Sequence, residues 1–243
     1  MLTWLSDDGT FPSPETALAE PAGPNGLLAA GGDLSPERLI AAYTQGIFPW
    51  YAEGQPILWW SPDPRMVLIP NALKISRSLR KTLRNKTYSV RFDTAFMQTI
   101  TACALISRRW QDGTWINADM MTAYERLHRL GYAHSVETWI DGELVGGLYG
   151  IALGGVFYGE SMFSHHRDAS KIALAHLCAY LKQQEFGIID CQMETSHLTS
   201  LGAQLMPRSE FTATLARYRH TNHQPEQWRA LAIDGYFKIK EAQ

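Results

Sequence analysis

The sequence predicts an α+β fold, and three features of its second half carry that prediction. Alternating apolar residues in HSVETWI, ELVGGLYGIAL and GVFYGESMF read as three consecutive strands. A helical stripe follows in ASKIALAHLCAYLKQQ, and FGIIDCQ then reads as a further strand. A meander, a helix and another strand make one layered α+β unit.

Taken in chain order, each element follows from local chemistry. Residues 1–62 are rich in Gly, Pro and Trp and signal one helix. Ser35 is placed to cap it, Pro36 suits its first turn, and Leu39, Ile40 and Tyr43 form its apolar stripe. Gly46 is expected to end it. In ILWWSPDPR, Pro62 and Pro64 argue against regular structure, so a boundary is expected there, dividing the chain into domains 1–62 and 63–243. KISRSLRKTLRN then reads as an amphipathic helix. Lys74, Arg77, Arg80, Lys81 and Arg84 fall within an arc of about 120°, with Ile75, Leu79 and Leu83 opposite. Asp93–Ala104 and Ala118–Leu130 also have helical periodicity. Asp141-Gly142 and Gly154-Gly155 supply the turns of the meander. Asp168 is placed to cap the next helix, with Leu174, Leu177, Cys178 and Leu181 inward, and Gly187 to stop it.

Composition excludes several classes. The 45% hydrophobic content of the 243 residues supplies a globular core, and 19% charge argues against disorder. No stretch reaches the roughly 18 apolar residues of a membrane span. The start lacks the basic and apolar regions of a secretory signal, so a cytoplasmic, non-membrane protein is expected. Three scattered cysteines form neither a disulfide framework nor a zinc site. Charge, however, is segregated. Eight of the 22 basic residues, Arg65 the first of them, fall between Pro64 and Phe92 with no acidic residue among them. A uniformly basic helix face without intervening Glu points to phosphate, ahead of a membrane surface.

Candidate chemistry is sparse, which narrows the choice. His128, His134, His165, His166, His176 and His197 lack metal-ligand spacing and are assigned structural or surface roles, so no metal is expected. There is no GxSxG elbow, Walker loop or GxGxxG fingerprint. Asp190 follows three apolar residues at a strand end, where a carboxylate must be solvated or hydrogen-bonded. Glu160 ends its strand similarly, and Gln192, two residues on, shares a face with Asp190. Two carboxylates at neighbouring strand ends suit a cationic group. Trp50 and Trp115 lie in Pro- and Gly-rich loops where base stacking is possible.

The tracts GLLAAGGDLSPERLIAAYTQGIFPWY, PILWWSPDPRMVL, GTWI, AHSVETW, LVGGLYG, GESMFS, DASKIAL and IDCQ together resemble the leucyl/phenylalanyl-tRNA–protein transferases, from about Phe11 to Phe211. The tail HQPEQWRALAIDGYFKIK falls outside the resemblance and reads as a candidate short strand. The resemblance implies a small N-terminal domain followed by a GNAT-like acyltransferase domain. It implies a cytoplasmic enzyme moving Leu or Phe, less well Met, from tRNA onto N-terminal Arg or Lys, a degradation signal of the N-end rule. The partners are leucyl- and phenylalanyl-tRNA and such proteins; no cofactor is implied, and a monomer is expected.

Residue by residue, the resemblance places Leu148, Phe157, Met162, Ser164, Leu177 and Ile189 around the aminoacyl side chain. Leu148 and Leu177 stand where relatives carry Met and Phe. Tyr43, Trp50 and Trp115 would hold the terminal adenosine, Asp190 and Gln192 would sit at the reacting centre, and Glu160 would receive the acceptor's N-terminus. The basic helix would meet the tRNA backbone. An α-amine with a pKa of roughly 8 is partly neutral at cell pH, and a carboxylate near 4 is a poor base for it. Asp190 is therefore expected to orient and stabilise the amine through Gln192.

Overall fold

The computed structural model describes residues 2–6, 9–106, 115–219 and 228. Two sheets organise them. The first joins β1 (Thr3–Leu5), β2 (Leu27–Gly31), β3 (Phe48–Pro49) and β4 (Leu58–Trp60) in the order β1-β2-β4-β3. Helix α1 (Pro36–Thr44) belongs to this part; the Ser35 side chain accepts from the Arg38 N–H, and Gly46 turns the chain with φ 75°. These short strands depart from the sequence reading, which saw only the helix, and β4 lies within the tract read as irregular. Strand β2, LLAAG, is buried along most of its length, so it shows no polar alternation to be read.

The second sheet has seven strands. Chain order gives β5 (Arg65–Leu68), α2 (Arg77–Asn85), β6 (Ser89–Phe92), α3 (Phe96–Leu105), α4 (Ala118–Arg129), β7 (Ala133–Ile140), β8 (Glu143–Leu153) and β9 (Val156–Ser164). Then come α5 (Ala169–Gln183), β10 (Ile188–Gln192), α6 (Ser196–Ser200), β11 (Gln204–Met206) and α7 (Arg208–Tyr218). The sheet order is β11-β5-β10-β9-β8-β7-β6, antiparallel except for the β9–β10 pair. The α+β reading holds. Asp141 and Gly142, with φ of 52° and 84°, form the expected primed turn between β7 and β8.

Helix α5 lies across this sheet so closely that a Cβ on Gly146 would collide with Ala169. Its ends depart from expectation. Asp168 occupies the cap position in left-handed conformation but makes no capping bond; its carboxylate instead accepts from Thr82 Oγ1 at 3.3 Å and faces Lys171. Ser164 Oγ takes over, accepting from the Ser170 N–H. At the other end Glu185, φ 59°, makes the turn. Gly187 serves another purpose, because a Cβ there would strike the Tyr218 ring.

Helix α2 starts after Ser76, so Lys74 precedes it, and Leu79 and Leu83 are buried while Arg77, Arg80, Lys81 and Arg84 are exposed. Of the tail, Trp228 alone is described; it is buried, stacked on His134 at 4.0 Å and on Phe157 at 5.9 Å. The rest of the proposed tail strand lies outside the described residues, as do Gly113 and Thr114 of GTWI. The three cysteines are free thiols. Among the described residues no helix is long and apolar enough to cross a membrane.

Candidate active site

The site forms where β9 and β10 separate. Their parallel ladder runs Ile188↔Val156, Ile189↔Phe157 and Asp190↔Tyr158, and goes no further. Both strands carry a bulge at this point. On β9, Glu160 is the extra residue between Gly159, paired with Gly150, and Ser161, paired with Tyr149. On β10, Cys191 is extra between Asp190, paired with Val67, and Gln192, paired with Met66. Bulges re-aim side chains, and here they change the partners of Glu160 and Gln192.

A cavity of about 480 Å³ opens at this split. Leu148, Phe157, Met162, Leu177 and Ile189 line its apolar part. Phe157 and Met162 are an odd number apart, so in a regular strand they would face opposite ways; the bulge at Glu160 brings both to one wall. Trp50, Trp115, Glu160 and Gln192 also border the cavity. Ser164 does not join them: it is the exposed last residue of β9, and its Oγ caps α5. Tyr43 does not line the cavity either. It lies behind Glu160.

Glu160 is 9% exposed and held by three neutral donors. Tyr43 donates to its Oε1 at 2.9 Å, Tyr124 to its Oε2 at 2.8 Å, and the Gln192 amide to Oε1 at 3.2 Å. The two tyrosine hydroxyls also lie 2.6 Å apart. Burial pushes the Glu160 carboxyl up from 4.5 to about 7, against the downward pull of the two tyrosines, with Asp190 adding a further rise and Arg65 opposing it. Burial beside this carboxylate holds both tyrosines well above their usual range, so they remain protonated donors.

Asp190 is built differently. It is wholly buried, and Arg65 clamps it with Nε at 2.8 Å and Nη2 at 2.7 Å. The guanidinium sits between the rings of Phe48 and Phe211, at 4.8 and 4.7 Å. Asp190 Oδ1 also accepts the Gln192 backbone N–H at 2.9 Å, which supports the left-handed backbone of Gln192 at φ 58°. Asp190 and Gln192 thus come together as the sequence spacing implied, but the shared face ends at Cys191, and Asp190 is not on the cavity wall. Arg65 is the residue the sequence reading misplaced. Counted only as the first cation of the acid-free segment, it is 1% exposed and paired with Asp190. Tyr124 was missed as well, its role hidden in an ordinary helical stripe.

The site is thus an apolar chamber bordered by a carboxylate and a carboxamide. Residues 67–216 match the family model described as leucyl/phenylalanyl-tRNA protein transferase, and residues 32–63 match its N-terminal domain. A leucyl/phenylalanyl-tRNA–protein transferase of Aromatoleum aromaticum is 60% identical over 228 residues, 94% of each chain. One from an Azoarcus species is 58% identical over 94% of this chain and 95% of its own. Among solved structures, a GCN5-related N-acetyltransferase from Kribbella flavida is a distant likeness, 15% identical over 71% of this chain and 61% of its own with a TM-score of 0.34. The chain belongs to the leucyl/phenylalanyl-tRNA–protein transferase family.

Proposed function

We propose that this chain transfers Leu or Phe, less well Met, from aminoacyl-tRNA to the N-terminal Arg or Lys of acceptor proteins, marking them for N-end rule degradation. It does so as a cytoplasmic monomer, with no metal or cofactor, because the ester of the charged tRNA carries the energy of the new peptide bond. The apolar cavity at the β9–β10 split, ending in Glu160 and Gln192, is the observation that carries this reading.

The Leu or Phe side chain occupies the part lined by Leu148, Phe157, Met162, Leu177 and Ile189, and the terminal adenosine lies against Trp50 and Trp115. Glu160 receives the acceptor's ammonium. Asp190, neutralised by Arg65, fixes the Gln192 backbone. Exposed Arg77, Arg80, Lys81 and Arg84 meet tRNA phosphates, with Lys74 just ahead of them. Bringing ester and amine together supplies roughly 7–11 kcal/mol of the barrier, so positioning dominates.

An acetyl-CoA enzyme would need free backbone N–H groups at the start of α5 to take a pyrophosphate. Here the His165 and His166 N–H groups donate to Val145 O, that of Ser170 donates to Ser164, and the Asp168 carboxylate stands beside them. The His165, His166 and Ser170 N–H groups are therefore already committed and not open to a pyrophosphate. The test uses purified protein, radiolabelled leucyl-tRNA and two peptides differing only in N-terminal Arg or Ala. Label on the Arg peptide alone, without ATP or CoA, is expected. tRNA binding with no label on either peptide would overturn the reading.

A further inference from the structure

We infer that Glu160, and not Asp190, takes the proton from the acceptor's ammonium group. The inference deepens the transferase reading and rests on it.

The two carboxylates differ in what already balances their charge. Both Asp190 oxygens are committed to the Arg65 guanidinium, which is itself enclosed by Phe48 and Phe211. A second cation arriving there meets a pair that is already neutral. Asp190 also lies off the cavity wall, so an amine would have to displace buried side chains to reach it. Glu160 borders the cavity. Its described donors, Tyr43 on α1, Tyr124 on α4 and Gln192 on β10, are all neutral. Tyr149 on β8, Asp190 on β10 and Arg65 on β5 are further titratable or charged groups near it, and Cys191 and His197 line the same cavity. An ammonium entering the cavity therefore finds its unbalanced negative charge at Glu160.

The proton-transfer match points the same way. A carboxyl raised to about 7 by burial lies within roughly one unit of an α-amine, so the transfer is nearly level. The steps balance as follows. Glu160 takes one proton from the ammonium, leaving a neutral amine. The amine nitrogen bonds to the ester carbonyl carbon, and the bond from that carbon to the ribose oxygen breaks. A second proton leaves the nitrogen for the ribose oxygen, giving peptide and free tRNA hydroxyl. Glu160 then releases its proton to solvent. Asp190 is left as a positioning residue, holding Gln192 through its backbone.

The experiment measures single-turnover transfer from prebound leucyl-tRNA across pH 5.5–9 for wild type and Glu160→Gln. Two acceptors are used: an Arg peptide, and the same peptide with an aminooxy group in place of its α-amine, already neutral at these pH values. On the amine, Glu160→Gln should lose up to about tenfold at pH 7, where only about a tenth of an amine of pKa roughly 8 is neutral without a base. Its acid limb should move from near 7 toward the amine's own, roughly 8. On the aminooxy acceptor it should approach wild type, which a merely structural defect would not allow. Equal losses on both acceptors, or an unchanged rate and limb on the amine, would overturn the proposal. Wild type failing on every acceptor would instead overturn the transferase reading beneath it.

Discussion

Asp190 and Glu160 sit on adjacent strands, both buried, yet the protein solves the cost of burying them in opposite ways. Asp190 is matched by a full opposite charge, two short hydrogen bonds and two aromatic faces. Glu160 has only hydroxyls and an amide. Complete pairing makes a carboxylate inert and mechanically useful, since β5, β10, β3 and α7 all meet at Arg65. Partial satisfaction leaves a carboxylate whose charge is still for sale to an incoming cation. One group holds the framework; the other borders the cavity.

The sharpest way to break this comparison is to remove the cation. Arg65→Met leaves Asp190 buried and unpaired, and should destabilise the fold by about 3–5 kcal/mol in urea denaturation. Arg65→Met combined with Asp190→Leu should recover most of that loss, because no unpaired charge remains and only the Gln192 N–H loses its acceptor. A double variant as unstable as the single would mean that aromatic packing on the guanidinium matters more than charge.

Glu160 predicts a pH effect of nearly the same size. Its folded pKa of about 7 lies above the ordinary 4.5, so the native state binds this proton more tightly than the unfolded chain. Its contribution is therefore full below about 4.5 and is lost as pH climbs through 7. Between pH 5 and 8, wild type should lose on the order of 3 kcal/mol relative to Glu160→Gln. Parallel stability curves for the two proteins would refute the burial argument. The expected outcome has a further meaning: near pH 7 the protein carries a destabilising charge at the edge of its apolar cavity.

How much of this contrast could be read in the sequence depends on regularity. The meander, α5 and β10 were legible because alternation, an Asp-Gly turn and a helical stripe persist over many residues. Helix α1 was legible from Ser35, Pro36 and Gly46. Strands β1–β4 were not, being two to five residues long. Glu160 was legible as a second carboxylate beside Asp190, but the pocket residues came from family resemblance, since Phe157 and Met162 share a wall only through a bulge that no periodicity encodes. Asp190 was legible as a carboxylate needing a partner, but the partner lies 125 positions away. Arg65 opens RMVL beside prolines and was grouped with the exposed cations that follow it; charge alone cannot tell a strand-buried arginine from a solvated one.

A smaller effect tests the neutral donors. Tyr124 pulls the Glu160 pKa down by donating to the charged form, so Tyr124→Phe should raise it. A hydrogen bond to a charged group is worth roughly 1.5–3 kcal/mol, or about one to two pH units. The acid limb of transfer should move up by that amount, with the rate lost at pH 7 recovered near pH 9. A lower rate with an unmoved limb would place Tyr124 in packing alone.

The same contrast recurs among the cations of the acid-free segment, and there the expected effect is smallest. Arg65 is buried and paired, whereas Arg80 stands exposed on α2, where Leu79 and Leu83 alone face the core. Arg80→Ala should change stability by no more than about 0.5 kcal/mol. It should instead lower the slope of log affinity for tRNA against log salt by roughly 0.7–0.9, one phosphate contact's share of released counterions. Binding measured from 50 to 300 mM salt distinguishes this from a solvated surface, for which the slope would not move. If it does move, two arginines fifteen positions apart in one basic run divide between them the framework of the site and the grip on its substrate, and burial alone decides which does which.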